Sequence, residues 1–268
     1  MTERIFSTIV LTVISLAGIV YYPACGIIVS LFTLVGLYEF FYMVEKKGVV
    51  LFKPLGLLVG VLIPITIYWR FPVKEGLQFS FAVLGLFLLF MMELTKKETH
   101  QPILSLSATV FGVIYISWCF SFVLRIRQLP NGLMQTIFLV LVTKSSDIGA
   151  YLWGKTFGKS PLFERVSPKK SLEGAVGGFF TSLVVGVIFS FFLGSLASLE
   201  KFLGNFFLII IIAIIAQLGD LFESLIKRDC EVKDSGKIFP GMGGALDVID
   251  SIIFTAPTFY LYVTMMKW

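Results

Sequence analysis

Residues 216 to 251 read AQLGDLFESLIKRDCEVKDSGKIFPGMGGALDVIDS. The stretch leaves one long apolar run, crosses a segment crowded with charge and glycine, and enters a second apolar run that carries two acids. In a soluble chain such residues would form an ordinary surface loop. The surrounding sequence is of another kind: 57% of its 268 residues are hydrophobic, 15% are charged and 28 are Phe, against about 45–50% apolar and about 25% charged in soluble domains. The fold class expected is therefore an all-α polytopic membrane protein. Polar groups inside such a chain are the first place to look for function.

Working outward from that stretch, runs long enough for a hydrocarbon core, about 17 to 25 residues, occur at 5–20, 24–42, 50–69, 77–93, 103–124, 133–153, 172–194, 203–226 and 245–266. About nine transmembrane helices are expected. Only Tyr22-Pro23 separates the first two, which read as a tight helical hairpin. Tyr22-Pro23-Ala24-Cys25 resembles a lipoprotein cleavage box loosely, and its bulky and cyclic residues favour an uncleaved first helix.

Counting Lys and Arg on alternate sides puts fifteen with the N-terminus and six opposite, with Lys144 left inside the sixth run. The positive-inside rule then sets the N-terminus and the charged loops in the cytoplasm. That distribution also explains the formal net charge of +5, so no nucleic-acid partner is expected. Cys25, Cys119, Cys230 and the single His100 show no metal-like or paired spacing.

The two parts of the chain differ. Residues 1–130, about five helices, keep ionisable groups such as Glu39 and Glu93 near helix ends and read as scaffold. Residues 131–268, about four helices, place Lys144, Asp147, Asp220, Glu223, Asp247 and Asp250 within or at the ends of apolar runs. Each charge there needs a partner, water or a metal. Helical spacing puts Asp220, Glu223 or Ser224, and Lys227 on one face, and Asp247 with Asp250 on another. Two such helices facing each other would make an oxygen-rich site for a hard divalent cation such as Mg2+. The alternative is a set of structural ion pairs, for example Asp220 or Asp247 with Lys144.

Between the acidic helices stand Lys227, Arg228, Lys233 and Lys237, then Pro240-Gly241-Met242-Gly243-Gly244. A glycine turn before a helix N-terminus can bring backbone N–H groups to a phosphate, and a metal bridging acid and phosphate would remove the repulsion from Asp247 and Asp250. An ordinary loop is the other reading. Upstream, Asp147-Ile148-Gly149-Ala150-Tyr151 and Ser167-Pro168-Lys169-Lys170-Ser171-Leu172-Glu173-Gly174 form a second candidate. Ser167-Pro168 can begin the seventh helix, with two lysines holding an anionic ligand at the membrane surface. Enforcing topology and attracting anionic headgroups would need the same residues.

Ser224-Leu225-Ile226-Lys227-Arg228, then Lys233-Asp234, Pro240-Gly241, Gly243-Gly244, Asp247 and Asp250 together resemble the signature of the phosphatidate cytidylyltransferases, the CDP-diacylglycerol synthases. The segments around Asp147 and Ser167 to Gly174 resemble that family's other recurrent stretch. Two positions depart from it: Met242 stands where the family has His, and Val248 where it has Arg beside the first acid. Neither offers the donor it replaces.

The resemblance implies transfer of the cytidylyl group of CTP to phosphatidate, giving CDP-diacylglycerol and pyrophosphate, at the inner membrane of a prokaryotic-type cell with the site facing the cytoplasm. It implies Asp220, Asp247 and Lys227 as catalytic groups, with Asp220 and Asp247 on Mg2+ and Asp250 on the same ion's surroundings or a second cation. Ser224, Arg228, Lys233, Gly243 and Gly244 would bind nucleotide or pyrophosphate, and Lys144, Asp147, Lys169 and Lys170 would lie toward the lipid phosphate. A homodimer in the bilayer is part of the same expectation. A CTP-dependent lipid-alcohol kinase, a catalytically silent relative and an ion-coupled transporter are the alternatives.

Overall fold

The computed structural model describes residues 17–70, 75–95, 101–192 and 199–266. The helices are α1 (Tyr22–Glu45), α2 (Lys53–Tyr68), α3 (Glu75–Leu94), α4 (Pro102–Gly112), a π-helical segment (Val113–Trp118), α5 (Cys119–Arg127), α6 (Gly132–Phe157), α7 (Leu172–Phe192), α8 (Leu199–Asp229) and α9 (Ala245–Met265). Five are long and apolar enough to cross a membrane: Tyr22–Glu45, Pro102–Arg127 taken through the π-helical segment, Leu172–Phe191, Phe202–Asp229 and Ala245–Met265. The expected run at 5–20 lies almost wholly outside the described residues, as do His100 and the loop lysines Lys96 and Lys97. α2 is shorter, at 16 residues. α6 is long, at 26 residues, yet Gln135, Lys144 and Asp147 along it keep it out of the five.

The break expected at Tyr22-Pro23 is present. The chain bends at Tyr21, and Pro23 occupies the first turn of α1, where its missing N–H costs no helical hydrogen bond.

One element departs from an all-helical chain. Residues expected to open the seventh helix form instead a two-stranded antiparallel hairpin, Pro161–Phe163 (β1) with Ser167–Ser171 (β2). α7 starts only at Leu172, after Ser171 Oγ accepts a hydrogen bond from the Gly174 N–H at 3.1 Å. The hairpin wins because Ser171 sits at the capping position three residues before Gly174, while Ser167 is spent on the pairing with Phe163.

Surface and interior follow the logic of hydrocarbon. On α7, Val176, Phe180, Val184 and Ile188 recur every four residues and are exposed, while Ser182 and Ser190 are buried. The lipid-facing stripe is apolar, and the packed face is small and polar. α6 and α7 approach closely there: a Cβ at Gly178 would stand 2.6 Å from the Ser146 carbonyl oxygen. A larger residue at 178 would push the helices apart and shift the polar turn of α6 that carries Lys144 and Asp147.

The interior centres on Leu37, Phe41, Ile116, Leu124, Phe138, Ile212, Ile253 and Phe259, all buried in one cluster. The ends of α1, α6 and α8 and the starts of α7 and α9 meet at one end of the bundle. Lys47, after α1, pairs with Asp229, ending α8, at 2.7 Å. Arg228 Nε donates to the Val166 carbonyl of the hairpin at 3.2 Å. Three Lys- and Arg-rich loops are thus brought to the same end.

Candidate functional site

α8 presents Asp220, Glu223, Ser224 and Lys227 along one face, as their spacing predicts. Across from it, α9 contributes Asp250. One carboxylate oxygen from each of Asp220, Glu223 and Asp250 lies within 4.8 Å of the other two, and the latter two residues are buried. Glu223 Oε1 accepts no hydrogen bond from any described residue. Three oxygen donors crowded this closely, one with an unused buried atom, suit a hard divalent cation.

Lysines surround the three acids. Lys170 of β2 reaches Asp220 at 2.6 Å, so the hairpin closes over the acidic face. Lys227 pairs with both Glu223 and Asp247. Lys144 donates to Asp147 Oδ2 at 3.1 Å, to the Val248 carbonyl at 2.9 Å and to Ser251 Oγ at 3.0 Å. Its ion pair is thus with Asp147 on its own helix, and neither Asp220 nor Asp247 is its partner.

Asp247 stands apart from the acidic trio, and its hydrogen bonds explain why. It is the third residue of α9, from which a carboxylate naturally turns back toward the helix start. Its Oδ2 accepts the N–H groups of Gly244 at 2.8 Å and Ser235 at 2.9 Å, with Ser235 Oγ at 2.8 Å. Its Oδ1 takes Lys227 at 2.6 Å. Asp247 is therefore saturated by protein donors, and the member of the trio expected least is Glu223.

The glycine turn also has a different role from the one its sequence suggests. Gly243 has φ +106°, and a side chain there would run into the Asp247 carboxylate. The amides expected to face phosphate are taken: Gly244 N–H by Asp247, and those of Ala245 and Leu246 by the two oxygens of Glu39, each at 3.0 Å. Gly243 and Gly244 give room for two carboxylates to reach the start of α9. Arg228 spends two of its five N–H donors on the carbonyls of Val166 and Val232, and Lys169 and Lys233 are exposed.

Glu39 is the group that sequence reasoning passed over. It comes from α1, is 4% exposed, and lies 2.9 Å from Ser235 Oγ, whose single proton it shares with Asp247. Its signal is the same as that of the other acids, a charge in an apolar run, and its place near the end of that run hides it. Glu39→Ala should orphan two buried backbone donors and cost about 2 to 4 kcal/mol, read as a lower melting temperature in detergent. Glu39→Gln should fall between the two, since an amide has one accepting oxygen where the carboxylate has two.

The model of the cytidylyltransferase family matches residues 2–266. The chain is 33% identical over 236 residues to the phosphatidate cytidylyltransferase of Bacillus subtilis (strain 168), covering 87% of this chain and 86% of that one. It is 30% identical over 305 aligned residues to the phosphatidate cytidylyltransferase of Synechocystis sp., covering 99% and 97%. An uncharacterized protein of Escherichia coli (strain K12), YnbB, is 36% identical over 223 residues, covering 77% and 72%.

Proposed function

The chain belongs to the cytidylyltransferase family, and from that premise we propose that it transfers the cytidylyl group of CTP to phosphatidate, forming CDP-diacylglycerol and releasing pyrophosphate. The observation that carries this reading is the close trio Asp220, Glu223 and Asp250, the last two buried, with Lys170 and Lys227 paired to its members. Acids and lysines interleaved at the end of a membrane bundle suit a reaction between two phosphate esters, one of them a lipid.

An oxygen of the phosphatidate phosphate attacks the α-phosphorus of CTP; the new P–O bond forms as the bond to the β-phosphate oxygen breaks, and pyrophosphate leaves with that electron pair. No protein nucleophile is required, and catalysis is chiefly positioning and charge stabilisation. A divalent cation such as Mg2+ held by Asp220, Glu223 and Asp250 supplies charge neutralisation for the phosphates. Lys170 and Lys227 balance the acids, the exposed Lys169 and Lys233 receive phosphate oxygens, and Ser224 follows Glu223 on α8. Lys144, tied to Asp147 and Ser251, fixes α6 against α9. Asp247 and Glu39 hold the start of α9 and the loop before it.

The same proposal has nine spans, with residues 1–130 as scaffold and 131–268 as the catalytic part. The N-terminus and the site face the cytoplasm of a cell whose inner membrane houses a homodimer. The meeting of Lys47 with Asp229 and of Arg228 with Val166 supports the shared sidedness of those loops.

The test is purified full-length protein in mixed micelles with phosphatidate, CTP and Mg2+. Pyrophosphate and CDP-diacylglycerol should appear in equal amounts. CDP in place of pyrophosphate would mean a kinase, and ion flux in liposomes with neither product would mean a transporter; either sinks the proposal.

A further inference from the structure

Tyr115 lies in the π-helical segment Val113–Trp118 and is 3% exposed. Three rings grip its own: Phe111 stacked at 5.4 Å between centroids, Phe222 edge-on at 5.4 Å and Phe254 tilted at 5.5 Å. Phe222 immediately precedes Glu223, and Phe254 follows Asp250 by one helical turn. The ring is thus wedged between the two helices that bear the acidic trio.

Its hydroxyl has a different environment from its ring. The oxygen is buried and has no hydrogen-bond partner among the described residues. Its packing on Phe222 and Phe254 sets it in the neighbourhood of the carboxylates of Glu223, Asp250 and Asp220. A buried hydroxyl left unpaired is costly, and phenylalanine would fill the same aromatic slot. π-helical turns, which re-aim side chains relative to an α-helix, recur at functional sites.

We propose that Tyr115 is a positioning residue of the acidic site, its hydroxyl hydrogen-bonding to the hydration shell of the divalent cation held by Asp220, Glu223 and Asp250. The inference rests on the cation reading given above. A strongly hydrated ion such as Mg2+ keeps several waters, and a phenol can both accept from such a water and donate. Hydrogen-bond partners beyond the direct ligands commonly govern metal affinity by about 10- to 100-fold.

The experiment titrates Mn2+ into purified full-length protein in detergent, without nucleotide or lipid, and reads free Mn2+ by electron paramagnetic resonance. Tyr115→Phe keeps the ring contacts and should bind Mn2+ about 10-fold more weakly at a melting temperature no lower than that of the wild type. Phe254→Leu loosens the slot and keeps the hydroxyl, so it should bind like the wild type. Tyr115→Phe binding like the wild type, or Phe254→Leu weakened as much as Tyr115→Phe, overturns the role of the hydroxyl and leaves the cation site standing. Wild-type protein that binds no Mn2+, or Glu223→Gln that binds as well as wild type, overturns the cation reading and this inference with it.

Discussion

Lys227→Met should be the most damaging single substitution in the chain. The ammonium pairs with Glu223 and Asp247, whose side chains are 0% and 9% exposed. Methionine keeps the length of the side chain and removes both pairings, leaving two carboxylates in a low-dielectric interior without their counter-charge. Breaking a buried pair costs about 3–5 kcal/mol, and here one cation serves two acids. Thermal unfolding in detergent should show a large drop in melting temperature, and the transfer rate measured below that temperature should fall by about 100-fold or more. Lys227→Arg should recover part of the stability and less of the rate, because a guanidinium fork does not reproduce a point charge set between two acids. A methionine variant as stable as wild type would mean that the acids do not depend on Lys227.

How much of this site can be read in the sequence depends on how local its contacts are. The face of α8 is legible because Asp220, Glu223 and Lys227 repeat at helical spacing within an apolar run. So is a helical bundle, of which five helices are long and apolar enough to cross a membrane, from its apolar runs. Asp247 and Asp250 look equivalent by spacing and are not. Asp247 is close enough to the helix start to be drawn back to the Gly244 amide, while Asp250, one turn on, faces α8. No Ser or Thr at position 244 signals a cap, so the difference is invisible until the chain is folded.

Contacts distant in sequence leave no pattern at all. Glu39 is 206 residues from Ala245, and nothing in α1 marks it as the anchor of α9. Lys170 likewise reads as a loop lysine that sets topology or holds an anionic ligand, and nothing in the sequence pairs it with Asp220. Only the hairpin, formed by a short polar stretch with low strand propensity, carries it to Asp220. In both cases the sequence shows a charge that needs a partner, and tertiary packing chooses the partner.

The choice between Glu223 and Asp247 as the acid that meets the cation is open to direct measurement, and it carries the second large effect. Glu223→Gln removes a charge from the trio and replaces one oxygen with an N–H2 group that cannot ligate a hard cation. Its transfer rate should fall by about 100-fold, and the Mg2+ concentration for half-maximal rate should rise by about 10-fold or more. Asp247→Asn acts elsewhere: the amide oxygen can still accept from Gly244 or Ser235, but the charge opposite Lys227 is gone. Its melting temperature should fall while its Mg2+ requirement stays at the wild-type value. The opposite pattern, an altered Mg2+ requirement in Asp247→Asn and an unaltered one in Glu223→Gln, would return the cation to Asp247. It would also imply that the hydrogen bonds saturating Asp247 exchange for metal during the reaction cycle. The two substitutions are both acid to amide, on neighbouring helices and paired to the same lysine, so the Mg2+ dependence separates binding of the cation from support of the loop.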